Sequence, residues 1–101
     1  MTESKQPERC SDMTALRAQI DRLDAELVQM LADRAGYIDR AIELKQANGW
    51  PARIPERVEE VVMNAREHAA RTGLDPELIE TLWRQLVDWS IAREARVIRE
   101  A

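Results

Sequence analysis

The chain has 101 residues, 45% hydrophobic and 34% charged, with three Trp, one Tyr and no Phe, a length and composition that predict one small domain and exclude a second. Fifteen Lys and Arg against nineteen Asp and Glu give a formal charge of −4 and a pI near 5.0, which argues against general binding to nucleic acid or an anionic membrane surface, so any anion site must be local. A single cysteine and a single histidine exclude an internal disulfide and leave no His/Cys cluster for zinc or haem, so no metal or cofactor is expected; no apolar run suits a membrane span or a signal peptide, and a cytoplasmic location is the expectation.

Residues 1–12 are polar and without period, and read as a disordered tail before a helical domain at 13–101. Cys10 falls in the tail with no basic cluster to favour its thiolate, and reads as an incidental thiol. Between 14 and 48 there is no Pro and only Gly36, while Leu16, Ile20, Leu23, Leu27, Leu31, Ile38 and Ile42 recur at spacings of three and four. That pattern predicts one long helix, with Ser11, Asp12 or Thr14 as its cap and Asn48-Gly49-Trp50-Pro51 as its stop. Segment 49–55 holds two prolines and reads either as a plain connector or as a lid bordering Lys45. A second helix is predicted over 55–72, with Val58, Val61, Val62, Ala65 and Ala69 as its apolar stripe and Gly73 as its end. Asp75 as cap and Pro76 at the first helical position start a third, over 76–99. Its apolar face is wide: Leu78, Ile79, Leu82, Trp83, Leu86, Val87, Ile91, Val97 and Ile98. No strand pattern or internal repeat occurs, and the fold class expected is all-α with three helices.

At 1.5 Å per residue the first helix is roughly 50 Å long, whereas a compact domain of this size has a radius of gyration near 13 Å. Two shorter helices shield only part of such a stripe, so a homodimer is expected to bury the remainder.

The polar residues on these stripes carry the chemical information. One line of the first helix reads Leu27, Leu31, Arg34, Ile38, Ala41, Lys45, which sets two cations among core positions. Eleven residues at 100° each bring Lys45 within roughly 20° of Arg34, about 16 Å further along. Two readings fit equally: the stems snorkel to solvent, or the charges line a site. On the third helix Ile79, Trp83, Leu86, Ser90, Glu94 and Val97 place a hydroxyl and a carboxyl one turn apart, which alone reads as an ordinary polar pair. Arg, Lys, Ser and Glu in apolar surroundings are poor equipment for nucleophilic catalysis. They suit a small polyanion, and catalysis of a unimolecular reaction by holding a reactive conformer and stabilising developing charge. Trp50, Trp83 and Trp89 read as packing anchors, His68 as a solvated residue near a helix C-terminus, and Asp21 and Asp24 as a solvated face or partners of Arg17 or Arg22.

These residues resemble the all-helical chorismate mutases and the related isochorismate pyruvate lyases. The resemblance runs from Leu16 to Val97 and rests on Leu16-Arg17-x-x-Ile20-Asp21-x-x-Asp24, Leu31-x-x-Arg34, Lys45, Pro55-Glu56-Arg57-Val58 and Ser90-x-x-x-Glu94. It implies an intertwined dimer of three-helix chains with two equivalent sites, each completed by an arginine of the other chain. Helix geometry agrees: Arg17 lies about 25 Å up the helix from Arg34 and roughly 100° around it, so the two cannot grip one small molecule from one chain. By the resemblance, Arg17 and Arg34 hold the substrate's two carboxylates, as the guanidinium fork suits. Lys45 and Glu94 donate to the ether oxygen as its C–O bond breaks, and Arg57 adds positive field. The substrate-binding set is thus Arg17, Arg34, Lys45, Arg57, Val58, Ser90 and Glu94, of which Lys45, Arg57 and Glu94 are the catalytic residues.

Two positions depart from the commonest mutase pattern. Val58 stands where many mutases carry a glutamate for the ring hydroxyl, and matches the lyases. Glu94 stands where many bacterial members carry glutamine; an ionised carboxylate there repels charge developing on the ether oxygen, so Glu94 is expected to act as a neutral donor. Ser90 fits the mutases better than the lyases. The leading expectation is rearrangement of chorismate to prephenate without cofactor, ahead of elimination of pyruvate from isochorismate to leave salicylate. Behind these two stand a mutase acting on an amino analogue of chorismate and a non-catalytic helical dimerisation module. Such a module has no need of Arg17, Arg34, Lys45 and Arg57 together.

Overall fold

The computed structural model describes residues 6–98. One turn of 3₁₀ helix at Pro7–Arg9 precedes three α-helices, α1 (Met13–Asn48), α2 (Pro55–Thr72) and α3 (Pro76–Ala95). The described part of the expected tail, residues 6–12, thus includes that turn, none of whose residues is buried; residues 1–5 lie outside the described residues. The all-helical expectation is borne out, and the described residues contain no strand.

The helix ends follow from local chemistry. Asp12 is the cap among the three candidates: its Oδ1 accepts from the Ala15 N–H at 2.8 Å. At the other end Gly49 takes φ +69°, a left-handed conformation that a Cβ would disfavour. There Trp50 N–H donates to Lys45 O at 2.8 Å and Gly49 N–H to Gln46 O at 3.3 Å, the paired bonds that close a helix through a left-handed residue. Gly73, at φ +78°, repeats the device after α2, with Leu74 N–H on Ala69 O at 2.9 Å. Asp75 caps α3 by accepting from Glu77 N–H at 2.9 Å, and Pro76 follows at the first helical position, where no N–H is needed.

Two compact units divide the chain, one ending at Gly36 and the other beginning at Tyr37, so the boundary falls within α1. In the first unit the apolar residues Ile20, Leu23, Leu27 and Leu31 are all exposed. Its side-chain pairs run along the helix surface, Arg22 to Glu26 at 3.4 Å and Gln29 to Asp33 at 3.0 Å.

In the second unit α2 and α3 pack together. Val62 is fully buried, and Ala65, Ala69 and Val87 are buried as well; small side chains on α2 let the helix backbones approach. A separate buried cluster joins Ile42 of α1, Ala52 of the connecting loop and Ile98, with Ile91 against it. Arginines tie the rim. Arg66 reaches Glu77 at 3.0 Å and Glu80 at 2.7 Å, Arg84 reaches Glu59 at 3.1 Å and Glu80 at 2.8 Å, and Arg93 grips Asp39 through two nitrogens at 2.6 and 3.0 Å. Hydrogen bonds from Arg84 hold the Glu59 and Glu80 carboxyls below their ordinary range, and one from Arg93 does the same for Asp39.

α3 ends at Ala95, earlier than the position 99 expected from periodicity; Arg99 itself lies outside the described residues. Val97 N–H tightens onto Glu94 O at 3.0 Å, and the β-branched Val97 and Ile98, poor at prolonging an exposed helix, leave the helix as Ile98 turns into the cluster around Ala52.

Candidate functional site

The polar group that the structure brings into the interior consists of Lys45, Ser90 and Glu94, all of the second unit. Ser90 and Glu94 share a face of α3, and each residue is only 3% exposed. Ser90 Oγ donates back to Leu86 O at 2.9 Å, which satisfies a hydroxyl that burial would otherwise penalise. Glu94 and Lys45 form an ion pair, Nζ to Oε1 2.7 Å, with side chains 4% and 17% exposed. Lys45 also donates to Ala52 O at 2.8 Å.

The ion pair is incompletely satisfied. Among the described residues none donates a hydrogen bond to the buried Oε1 of Glu94, so the 2.7 Å approach of the ammonium is an ionic contact without hydrogen-bond geometry. A buried carboxylate oxygen in that condition is costly. The arrangement presents an ammonium and a carboxyl side by side in low dielectric, where a donor aimed at a developing negative charge has its largest effect.

The remaining expected site residues are placed differently. Val58 is half-buried on α2, while its neighbour Arg57 is exposed and ion-paired with Glu60 one turn on in the same helix. The structure thus does not bring the Arg57 guanidinium to the Lys45 and Glu94 pair. Arg17 and Arg34 lie in the first unit, Arg17 exposed and Arg34 half-buried. Asp21 and Asp24 are exposed, as is His68. Trp83 is half-buried, whereas Trp50 and Trp89 are exposed and the Arg93 guanidinium lies 5.4 Å from the Trp89 ring centre. The sequence pattern does not reveal Ala52, whose carbonyl contacts Lys45. Its signal is weak, a lone small apolar residue between Pro51 and Arg53.

A lysine set against a buried glutamate, with a buried serine one turn away on the same helix, defines an all-helical domain with a polar group in its interior. Comparison with known proteins narrows the class. Residues 16–95 match the family described as chorismate mutase type II, and the chain belongs to that family. The resemblance read from the motifs is thereby borne out. The chain is 34% identical over 97 residues to an isochorismate pyruvate lyase of Pseudomonas aeruginosa, covering 95% of this chain and 94% of that protein. It is 34% identical to the T-protein of Enterobacter agglomerans over 83% of this chain and 22% of that one. A 4-amino-4-deoxychorismate mutase of Streptomyces pristinaespiralis is 33% identical over 74% of this chain and 58% of its own length. No helix among the described residues is long and apolar enough to cross a membrane.

Proposed function

We propose that this chain rearranges chorismate to prephenate, as a cytoplasmic homodimer on the route to Phe and Tyr. The observation that carries the reading is the Lys45 and Glu94 pair, 2.7 Å apart with Glu94 only 4% exposed. Burying both charges costs several kcal/mol that an apolar pair does not, which supports a use for the pair beyond stability.

The rearrangement breaks the ether C–O bond while a C–C bond forms within the same molecule, so atoms balance without a co-reactant. The protein's task is to select the folded conformer and to stabilise charge on the ether oxygen. Arg34, and Arg17 from a second copy, hold the two carboxylates. Lys45 donates to the ether oxygen, Glu94 holds the ammonium there, Ser90 lines the same face, and Arg57 adds positive field once it leaves Glu60. The second copy also accounts for the exposed stripe Ile20, Leu23, Leu27 and Leu31, which a partner helix would bury.

A second reading, elimination of pyruvate from isochorismate, is favoured by Val58 and by the P. aeruginosa relative matched over nearly its whole length. Incubating the purified protein separately with chorismate, isochorismate and 4-amino-4-deoxychorismate, and quantifying prephenate, salicylate, pyruvate and the amino analogue of prephenate, decides between them. A specificity constant highest for chorismate supports the mutase. Efficient release of salicylate and pyruvate from isochorismate replaces it with the lyase, and the absence of turnover on all three overturns both.

A further inference from the structure

The Lys45 ammonium is anchored at a point that does not belong to its ion-pair partner, the carbonyl of Ala52 at 2.8 Å. Ala52 sits in the loop between α1 and α2. Its neighbours Pro51 and Arg53 are exposed, whereas Ala52 is 3% exposed and packs in the cluster with Ile42 and Ile98. Ile42 is fixed by α1, one turn before Lys45. The opposite wall is Ile98, in the turn after α3, whose N–H donates to Glu94 O at 2.8 Å. Among the described residues the Lys45 ammonium meets the Ala52 carbonyl and the Glu94 carboxyl, and Ile98 contacts both parent residues, Ala52 through the cluster and Glu94 through its backbone carbonyl.

We infer that Ile98 is a positioning residue for Lys45, acting through Ala52, and that the segment after α3 is part of the catalytic support although it lies beyond the family match at 16–95. The inference rests on the role given above to Lys45. A lysine on a flexible four-carbon stem samples many rotamers, and a fixed acceptor selects one of them. The Ala52 carbonyl is such an acceptor only while the Ala52 methyl is wedged between Ile42 and Ile98. Shortening Ile98 to alanine opens that wedge, lets the loop carbonyl move, and releases the ammonium from the geometry in which it meets the ether oxygen. A misplacement of about 1 Å at a positioned group slows a reaction by up to about 10²-fold.

The sequence holds only two lysines, Lys5 and Lys45, so selective labelling with [13Cε, 15Nζ]lysine yields two resonances, assigned by Lys45→Met. In the full chain without substrate, Lys45 is expected to give a dispersed ε-CH2 signal and ammonium protons slow to exchange with water. Ile98→Ala and Ala52→Gly, which remove the wedge from opposite sides, are both expected to collapse that signal towards the free-lysine position, and Ile98→Val to preserve it. Val62→Ala truncates the fully buried Val62, outside the cluster, and is expected to lower stability while leaving the Lys45 signal in place. With chorismate, Ile98→Ala should lower kcat by about tenfold and change KM by less than about twofold, because the carboxylate grips lie elsewhere. A Lys45 resonance unmoved by both Ile98→Ala and Ala52→Gly, or moved equally by Val62→Ala, overturns the inference. Lysine signals that behave as expected in a protein that turns over no substrate support the positioning and overturn the functional reading instead.

Discussion

Replacing Lys45 by methionine keeps the stem and removes the charge, leaving the Glu94 carboxylate, 4% exposed, without its counter-ion. Breaking one side of a buried pair costs about 3–5 kcal/mol; because Lys45 is 17% exposed and water reaches part of it, the low end applies, about 3 kcal/mol. At about 4–8 °C per kcal/mol for a chain of this size, the Tm of Lys45→Met falls by roughly 12–24 °C. Glu94→Gln costs less, about 1 kcal/mol, since the ammonium retains its bond to Ala52 O and partial access to solvent. The double variant leaves no uncompensated buried charge, so the cycle should close with a coupling of about 3–4 kcal/mol, which leaves the double variant within about 1 kcal/mol of the parent. The assay is thermal and urea unfolding of all four proteins at one protein concentration, because association shifts apparent stability. Strict additivity, with a coupling below about 0.5 kcal/mol, refutes the ion pair as a buried interaction.

Three further outcomes follow from the residues described above. Arg17→Ala and Arg34→Ala are each expected to abolish turnover, but an unfolded and refolded equimolar mixture should recover about a quarter of parental activity, since half the dimers are mixed and each holds one intact site; no recovery places Arg17 and Arg34 in the same site of one chain. Glu94→Gln, whose amide holds the Lys45 ammonium and also donates, should keep kcat for chorismate within about tenfold of the parent, whereas Glu94→Ala should lower it by about 10²-fold or more; equal kcat in the two variants removes Glu94 from the site. Glu59 and Glu80, ordinarily near 4.5, are held lower by hydrogen bonds from Arg84, so their stabilising contribution is complete above that value and lost as pH falls through the depressed range; the decline in Tm from about pH 6 to about pH 3 should be shallower for Arg84→Gln, and equal slopes refute the assignment.

The helices are legible in the sequence because their ends are written in residues with one mechanical meaning. Gly49 and Gly73 take the left-handed conformation their positions demand, and Asp75 and Pro76 open α3 as such pairs do. Lys45, Ser90 and Glu94 are legible as polar residues at apolar positions, although periodicity alone leaves two readings open. What escapes the sequence depends on closure in three dimensions. Ala52 is buried because Ile42 and Ile98 meet on it, and neither its composition nor its spacing marks it. Periodicity sets the end of α3 too late because Val97 and Ile98 continue the apolar period while the chain turns away to bury Ile98. The Arg57 and Glu60 pair has the i, i+3 spacing of a helix-surface pair, yet the family motif draws Arg57 toward the site.

On the proposed function, stability and catalysis draw on different residues in this chain. The apolar contact of α2 with α3 and the arginines bridging Glu59, Glu77, Glu80 and Asp39 hold the second unit together without touching Lys45 or Glu94. The buried pair does the opposite: its Oε1 receives no hydrogen bond from the described residues, so a matched apolar pair would be at least as stable. On the proposed function, a substrate ether oxygen that gains charge as its bond breaks would interact with Lys45 more strongly in the transition state than in the ground state, the condition for acceleration. A Lys45→Met, Glu94→Gln protein with parental stability and no measurable turnover would therefore separate the two roles directly. Retained activity in that protein would mean that conformer selection by the arginines alone accounts for the rate.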